Sequence, residues 1–201
     1  MSPVLSSPAT VRHPMPSGEA APAMVADAPF QGILVPGLQG SDARHWQTRW
    51  RQHMPWLRQL AVPTVDADRL DHWQTALAQA LSGIHQPALL IAHGFGCQAS
   101  VRYAIDHPEQ VAGLLLVAPV PAPVAGSGQP SGPLPVPTRV IASTTDPWMD
   151  LADSRELARH WGAAFRNGGD LGHINSASGM GEWRRGLDDL RWLLAQRPVR
   201  A

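Results

Sequence analysis

The chain has 201 residues, with 16 Lys or Arg balanced by 16 Asp or Glu, so its formal net charge at pH 7 is zero. This length suffices for one domain with a sizeable core, and the charge balance argues against a nucleic-acid or membrane-surface partner. The single cysteine, Cys97, excludes an intrachain disulfide and fits a reducing cytoplasm. No apolar run reaches the roughly 20 residues of a membrane span.

The first 30 residues are rich in Pro, Ala and Ser and show no sustained apolar periodicity. Such a segment cannot bury enough surface to offset its ordering entropy. We therefore predict a disordered extension over residues 1–30, followed by one domain over residues 31–198.

From residue 31 onward, strand and helix patterns alternate. The apolar runs predict strands at residues 32–35, 60–62, 87–92, 111–117, 139–142 and 164–166. Helical spacing predicts helices at residues 43–53, 68–81, 96–107, 151–161 and 182–196. A long Pro/Gly/Ser loop spans residues 119–137. The alternation predicts an α/β fold of three layers, in which helices flank a mostly parallel sheet. Ligands bind beyond the carboxyl ends of such strands.

The segment that follows the third strand carries the most information. Residues 89–97, LLIAHGFGC, read as a buried strand that turns sharply into a helix. This is the local pattern of the nucleophile elbow, Gly-x-Ser-x-Gly, which lifts a serine to the top of the sheet. Here Ala92 takes the small first position, Gly96 is the last glycine, and Gly94 stands where the serine belongs.

Three further strand ends carry polar or glycine-rich turns. The first strand ends in Pro36-Gly37-Leu38, a turn that can aim a backbone N–H into a site as half of an oxyanion hole. Asp146 follows the fifth strand, where a turn before Pro147 is the simpler interpretation of that residue alone. His173 lies in a glycine-rich loop after the sixth strand, and exposed loop histidines are often idle.

The elbow, the acid and the histidine together make a stronger prediction than any one of them alone. Elbow, acid and histidine follow one another in the chain order of α/β-hydrolase triads. Each lies at the end of a different predicted strand, where the sheet brings them together. The predicted site therefore consists of position 94, Asp146 and His173, with the N–H groups of Phe95 and of the Gly37-Leu38 turn as the oxyanion hole.

Over residues 31–196 the chain resembles the small serine hydrolases typified by YdeN and retinoblastoma-binding protein nine, a branch of the α/β-hydrolases. The resemblance rests on residues 35–37 (VPG), 45–47 (HWQ), 93–97 (HGFGC), 143–148 (STTDPW) and 172–179 (GHINSASG), with Trp183 following. In this family the elbow usually reads His-Ser-Leu-Gly or His-Ser-Phe-Gly. The resemblance implies cleavage of carboxylic esters, with Asp146 as the acid and His173 as the base.

Glycine at position 94 predicts an inactive or strongly impaired hydrolase, because the acyl-enzyme route needs the serine hydroxyl. Cys97 and Ser100 lie in the following helix, where we expect them to pack rather than replace the serine. His93 precedes the elbow tip and is expected to point away from it. We expect the substrate pocket to include Trp148 and Pro119.

No cofactor or metal is predicted, since His45, His53 and His72 lack partners at metal-ligand spacing. The expected ligand is a small-molecule ester, and the expected location is the cytoplasm.

Two alternative functions remain at this stage. Residues 94–99, GFGCQA, match the dinucleotide-binding pattern Gly-x-Gly-x-x-Ala, although the next predicted strand ends in Ala118-Pro119 without the acid that would bind a ribose. The other alternative is a non-catalytic module that keeps the hydrolase pocket for a ligand or a protein partner.

Overall fold

Among the residues that the computed structural model describes (31–62, 69–121, 130 and 132–196), six strands form one sheet in the order β2-β1-β3-β4-β5-β6. All neighbouring pairs are parallel, which confirms the predicted fold class. The predicted extension over residues 1–30, much of the predicted Pro-rich loop and residues 197–201 lie outside the described residues.

Strands and helices alternate along the chain. The strands are β1 (Gly32–Val35), β2 (Leu57–Gln59), β3 (Ala88–His93), β4 (Val111–Val117), β5 (Thr138–Ala142) and β6 (Ala164–Asn167). The helices are α1 (Trp46–His53), α2 (Leu70–Leu81), α3 (Phe95–Asp106), α4 (Leu151–His160) and α5 (Arg184–Ala195), with 3-10 turns at Pro108–Gln110 and Ser176–Ser178.

Each central strand contributes to two cores, because successive side chains point to opposite faces of a sheet. In β3, Leu90 and Ala92 pack with residues of α2, α3 and α4, whereas Leu89 and Ile91 pack with residues of α1 and α5. The six residues of β3 are all buried, as expected for a parallel strand covered on both faces. The elbow that follows β3 is therefore held by a rigid strand.

The structure corrects the position of the second strand. We predicted it at residues 60–62, but β2 spans Leu57–Gln59, where Leu57 pairs with Gly32 of β1. As an edge strand, β2 is buried on one side only, with Leu57 buried and Arg58 exposed. The predicted run is apolar because Leu60 packs into the core next to the sheet, which apolar patterning alone does not distinguish from a strand.

The ends of two helices also differ from the prediction. Helix α1 begins at Trp46, since the His45 side chain accepts a hydrogen bond from the Gln47 N–H and caps the helix. Helix α5 begins at Arg184, after Trp183 adopts the left-handed conformation with φ of 43°. A side chain at Gly186 would collide with the Trp183 ring, only 2.3 Å from the ideal Cβ position. Glycine there lets the tryptophan lie against the helix.

A charge cluster attaches α5 to the sheet. The carboxylate of Asp189 is buried between two arginines: Arg139 Nε of β5 lies 2.7 Å from Oδ1, and Arg166 of β6 pairs with Oδ2. The Arg139 guanidinium also lies over the Trp192 ring, 4.5 Å from its centroid. A buried charge needs such pairing to offset desolvation, so this cluster fixes the helix against the far edge of the sheet.

None of the helices in the described ranges is long and apolar enough to cross a membrane.

Candidate active site

The elbow between β3 and α3 keeps its strained form. Gly94 has φ of 54° and ψ of −124°, outside the regions that side-chain-bearing residues prefer. Its N–H donates to the Val117 carbonyl at 3.0 Å, and its carbonyl accepts from the Cys97 N–H at 3.1 Å. The chain thus retains the turn that would expose a nucleophile, although glycine offers none.

Gly96 has a different reason to be glycine. An ideal Cβ there would lie 2.3 Å from the Pro36 carbonyl oxygen and 2.8 Å from that of Val35. Helix α3 therefore starts against the end of β1, and only a residue without a side chain permits this approach. A turn explains the glycine at position 94, and close packing explains the glycine at position 96. Both reasons are independent of the dinucleotide-binding pattern that these glycines also match.

Asp146 and His173 form a hydrogen-bonded pair. The His173 Nδ1 lies 3.0 Å from both carboxylate oxygens of Asp146. The Asp146 side chain is only 2% exposed, and its Oδ1 also accepts from the Trp148 N–H at 3.0 Å. Because the carboxylate accepts the Nδ1 proton, the neutral imidazole presents an unprotonated Nε2.

That Nε2 faces position 94. An ideal Cβ built on Gly94 would lie 3.3 Å from His173 Nε2 and 3.7 Å from the Gly37 Cα. The structure therefore brings together all three predicted triad positions, although they are far apart in sequence. A serine hydroxyl at position 94 would lie within reach of the histidine.

Backbone N–H groups flank the same position. A turn closes from the Gly40 N–H to the Gly37 carbonyl at 2.9 Å, which leaves the N–H of Leu38 without a hydrogen-bond partner among the described residues. The N–H of Phe95, the first residue of α3, likewise has none there. At Gly37 an ideal Cβ would lie 3.2 Å from His93 Nδ1, so the turn packs closely on the end of β3. This arrangement can stabilise a developing oxyanion.

We expected His93 to point away from the elbow tip, but in the structure its side chain lies beside His173. Its Nε2 lies 2.9 Å from the His173 carbonyl oxygen, and the two imidazole rings are 4.9 Å apart. Since a carbonyl only accepts, His93 Nε2 carries the proton and donates. Burial, together with a smaller effect of the neighbouring His45, lowers the pKa of His93 to about 3. The ring is therefore neutral and braces the loop of His173.

Residues of α1 brace the same loop. Trp46 Nε1 donates to the Ile174 carbonyl at 2.9 Å, and Ile174 has φ of 48°, an unusual value for a β-branched residue. Burial is the main reason that the pKa of His45 falls to about 4, and its ring packs edge-on against His93 at 4.9 Å. Reasoning from the strand ends missed this support; the signal in the sequence was the HWQ motif at residues 45–47, which carried the family resemblance but was assigned no role.

Gln47 is a second residue of the HWQ motif to which sequence reasoning assigned no role. Its buried side-chain amide donates to the Val35 carbonyl at 3.1 Å and to the Ile91 carbonyl at 2.9 Å. These two carbonyls belong to β1 and β3, the strands that lead into the oxyanion turn and the elbow. Gln47 therefore fixes the spacing of the two halves of the site.

A cavity of about 620 Å³ opens above Gly94, within the usual range for small-molecule sites. Its apolar walls include Leu38, Val120 and Trp148, and Arg44 lines it as well. The expected pocket residue Trp148 lines this cavity, whereas Val120 does so in place of Pro119. Ala118 has φ of 47°, so the chain turns directly after β4 and presents the later residue to the cavity.

The other side chains near the elbow are packed, as expected. Cys97 is fully buried and donates weakly to the Val117 carbonyl at 3.5 Å. Burial raises the pKa of the Cys97 thiol, so it does not form the reactive thiolate. Ser100 is also fully buried. Within the described residues, no group of three or more His, Cys, Asp or Glu is arranged to hold a metal ion.

Comparisons with known proteins agree with this geometry. A family model described as "Serine hydrolase" matches residues 32–192. A YdeN-like hydrolase from Pectobacterium atrosepticum is 33% identical, with a TM-score of 0.79, over 84% of this chain and 93% of that chain. No protein of curated function matches the chain.

Two more distant structures share the fold alone. The ydeN gene product of B. subtilis is 19% identical, with a TM-score of 0.62, over 83% of this chain and 100% of that chain. A thermophilic esterase from Thermogutta terrifontis, solved with malate bound, is 13% identical, with a TM-score of 0.62, over 83% of this chain and 90% of that chain. These similarities confirm the expected α/β-hydrolase-like architecture.

Proposed function

This chain belongs to the serine hydrolase family, and we propose that it binds carboxylic esters or related small molecules in the family's active-site cavity without efficient turnover. The observation that carries the proposal is at position 94. The backbone keeps the elbow conformation and His173 Nε2 faces it, yet the residue is glycine. The residues that we assign as base and acid, and the two N–H groups that we assign to the oxyanion hole, therefore surround a position that has no nucleophile.

The chemistry of the complete triad shows what is missing. There the histidine takes the serine proton, the carboxylate holds the histidine tautomer, and the oxyanion hole receives the charge of the tetrahedral intermediate. In this chain Asp146 and His173 would fill the acid and base roles, and Phe95 and Leu38 would supply the oxyanion N–H groups. Loss of a nucleophile of this kind lowers turnover by roughly 10⁶-fold.

Binding does not need the missing hydroxyl. Oxyanion stabilisation and substrate binding by themselves retain a rate factor of roughly 10³ over water in a hydrolase without its nucleophile. We assign these two contributions to the Gly37–Gly40 turn, the start of α3 and the cavity, and all three are formed. We therefore expect ligand binding with at most residual hydrolysis. A cytoplasmic location and the absence of a nucleic-acid partner remain predictions from composition.

The test compares the wild type with Gly94→Ser and Gly94→Ala. Hydrolysis of p-nitrophenyl acetate and butyrate is measured for each protein, together with labelling by a fluorophosphonate probe. We expect only Gly94→Ser to be labelled, and its turnover to exceed that of the other two by at least 10³-fold. The alanine variant has the same Cβ without the hydroxyl, so it separates the chemistry from the change in backbone.

A second substitution assigns the restored activity to the site described above. Adding His173→Ala to Gly94→Ser removes the base, and turnover should return to the wild-type value. Wild-type turnover equal to that of Gly94→Ser would contradict the proposal, because the glycine would then not limit the reaction.

A further inference from the structure

We propose that the natural ligand of this cavity is a monocarboxylate with an apolar chain, whose carboxylate lies in the space left by the missing serine side chain. The inference rests on the proposed function, since it concerns the same cavity. It goes further by naming an acid, rather than an ester, as the preferred ligand. The carboxylate and the chain are each supported by their own contacts.

The space above Gly94 suits a carboxylate. In a serine hydrolase the hydroxymethyl group would occupy the region between the oxyanion N–H groups and the histidine. Here that region is open, with His173 Nε2 only 3.3 Å from the ideal Cβ position. One carboxylate oxygen can accept from the N–H groups of Phe95 and Leu38, and the other can lie against His173. Helix α3, twelve residues long, adds its positive end at the same point.

The tautomer of His173 determines how a ligand carboxylate can contact the ring. Asp146 accepts the proton on Nδ1, so the neutral ring presents a bare acceptor at Nε2. A carboxylate oxygen facing that nitrogen needs one proton between them.

The chain of the ligand has apolar walls on both sides. In the described part of the chain, the large hydrophobic side chains that are exposed are Leu38, at 49%, and Trp148, at 64%. Both line this cavity. They follow β1 and β5, which lie on opposite sides of β3 in the sheet, and Val120 after β4 lies in the same lining. Exposed apolar residues that converge on one cavity mark a ligand site.

The distribution of charge fixes the direction of the ligand. Trp148 also forms a wall of a neighbouring cavity of about 700 Å³, whose lining includes the carboxylates of Asp150, Asp153 and Glu156. Glu156 is paired with Arg159, but the other two carboxylates still disfavour a ligand carboxylate in this second cavity. The cavity above Gly94 instead contains Arg44 and the proton-accepting His173. It also contains Asp42, whose pKa is lowered by hydrogen bonds from the Ser176 hydroxyl and the Arg44 N–H, so this carboxylate stays charged and a ligand carboxylate belongs at Gly94 rather than beside it. The anionic end therefore belongs at Gly94 and the apolar chain towards Trp148.

Isothermal titration calorimetry of the wild type with butanoate, octanoate and octan-1-ol tests the proposal. Each methylene buried contributes roughly fourfold in affinity, so octanoate should bind at least tenfold more tightly than butanoate. It should also bind at least tenfold more tightly than octan-1-ol, which lacks the charge.

Three variants locate the two ends of the ligand. Gly94→Ser fills the carboxylate space and should weaken octanoate about tenfold while leaving octan-1-ol within twofold. Trp148→Ala should weaken octanoate but not butanoate, and Trp148→Phe, which keeps an aromatic wall, should restore most of the loss.

Equal affinity for octanoate and octan-1-ol, or no binding of octanoate at all, would overturn the proposal. So would undiminished octanoate binding by Gly94→Ser. The turnover assays test the proposed function separately. If Gly94→Ser is active and the wild type does not bind octanoate, only the carboxylate ligand is refuted. Efficient ester turnover by the wild type would refute the proposed function.

Discussion

Restoring the serine should destabilise the protein. At φ of 54° and ψ of −124°, Gly94 occupies a conformation that costs about 1–3 kcal/mol for a residue with a side chain. The added Cβ meets no backbone closer than the Gly37 Cα at 3.7 Å, and its nearest neighbour is His173 Nε2 at 3.3 Å. Backbone strain therefore dominates, and a small shift of the imidazole accommodates the new atom.

The two substitutions at this position should differ by one hydrogen bond. Gly94→Ala bears the whole strain, so its free energy of unfolding should fall by about 1–3 kcal/mol. In Gly94→Ser the hydroxyl can donate to His173 Nε2, and such a bond returns about 1 kcal/mol. For a domain of this size, each kcal/mol shifts Tm by about 2–4 °C.

Urea unfolding followed by tryptophan fluorescence measures both effects. His173→Ala in the Gly94→Ser background provides the control, since it removes the acceptor and should abolish the advantage of serine over alanine. If Gly94→Ala is as stable as the wild type, the elbow is not strained and the reasoning fails. If serine and alanine are equally destabilising, His173 Nε2 does not face position 94 as described.

Three further predictions concern the frame of the site. Gly96→Ala places a Cβ 2.3 Å from the Pro36 carbonyl oxygen, so we expect a loss of about 3 kcal/mol or more in urea unfolding; a fully stable variant would contradict the close packing. Asp189→Asn leaves two partly buried arginines without their counter-charge and should cost about 3 kcal/mol, the lower end of the range for a buried pair, measured in the same way, whereas a loss below about 1 kcal/mol would show that the cluster is solvated. Burial lowers the pKa of His93 to about 3, so the unfolded histidine takes up its proton near pH 6.5 while the folded one stays neutral. This stability is present above pH 6.5 and is lost as the pH falls towards 3, by on the order of 2–3 kcal/mol at pH 4.5; His93→Gln should lose less over this range, and an identical pH profile would refute the assignment.

The triad illustrates what chain order can predict. Asp146 and His173 were identified because each follows a strand, and parallel strands end at one edge of a sheet. That argument needs only the alternation of strands and helices. It does not give the 3.0 Å hydrogen bonds of the pair, since they depend on how two loops bend after the strands end.

His93 illustrates where sequence reasoning fails. Alternation along β3 indicates which face of the sheet a side chain points to, but the sharp turn at Gly94 changes the direction of the chain immediately afterwards. The ring of His93 therefore lies beside the loop of His173, which comes 80 residues later and packs there through Trp46 as well. No local pattern records a contact of that separation.

The sequence by itself determined the fold class, the elbow and the absence of its nucleophile, because these depend on periodicity, on chain order and on the chemistry of a single residue. Tertiary structure alone decided that His173 faces Gly94, that His93 and Gln47 support the site, and that Leu38 and Trp148 share one cavity. The reason is physical: local patterns arise from interactions within a few residues, whereas a site is made of side chains brought together when distant strands pair and their loops pack.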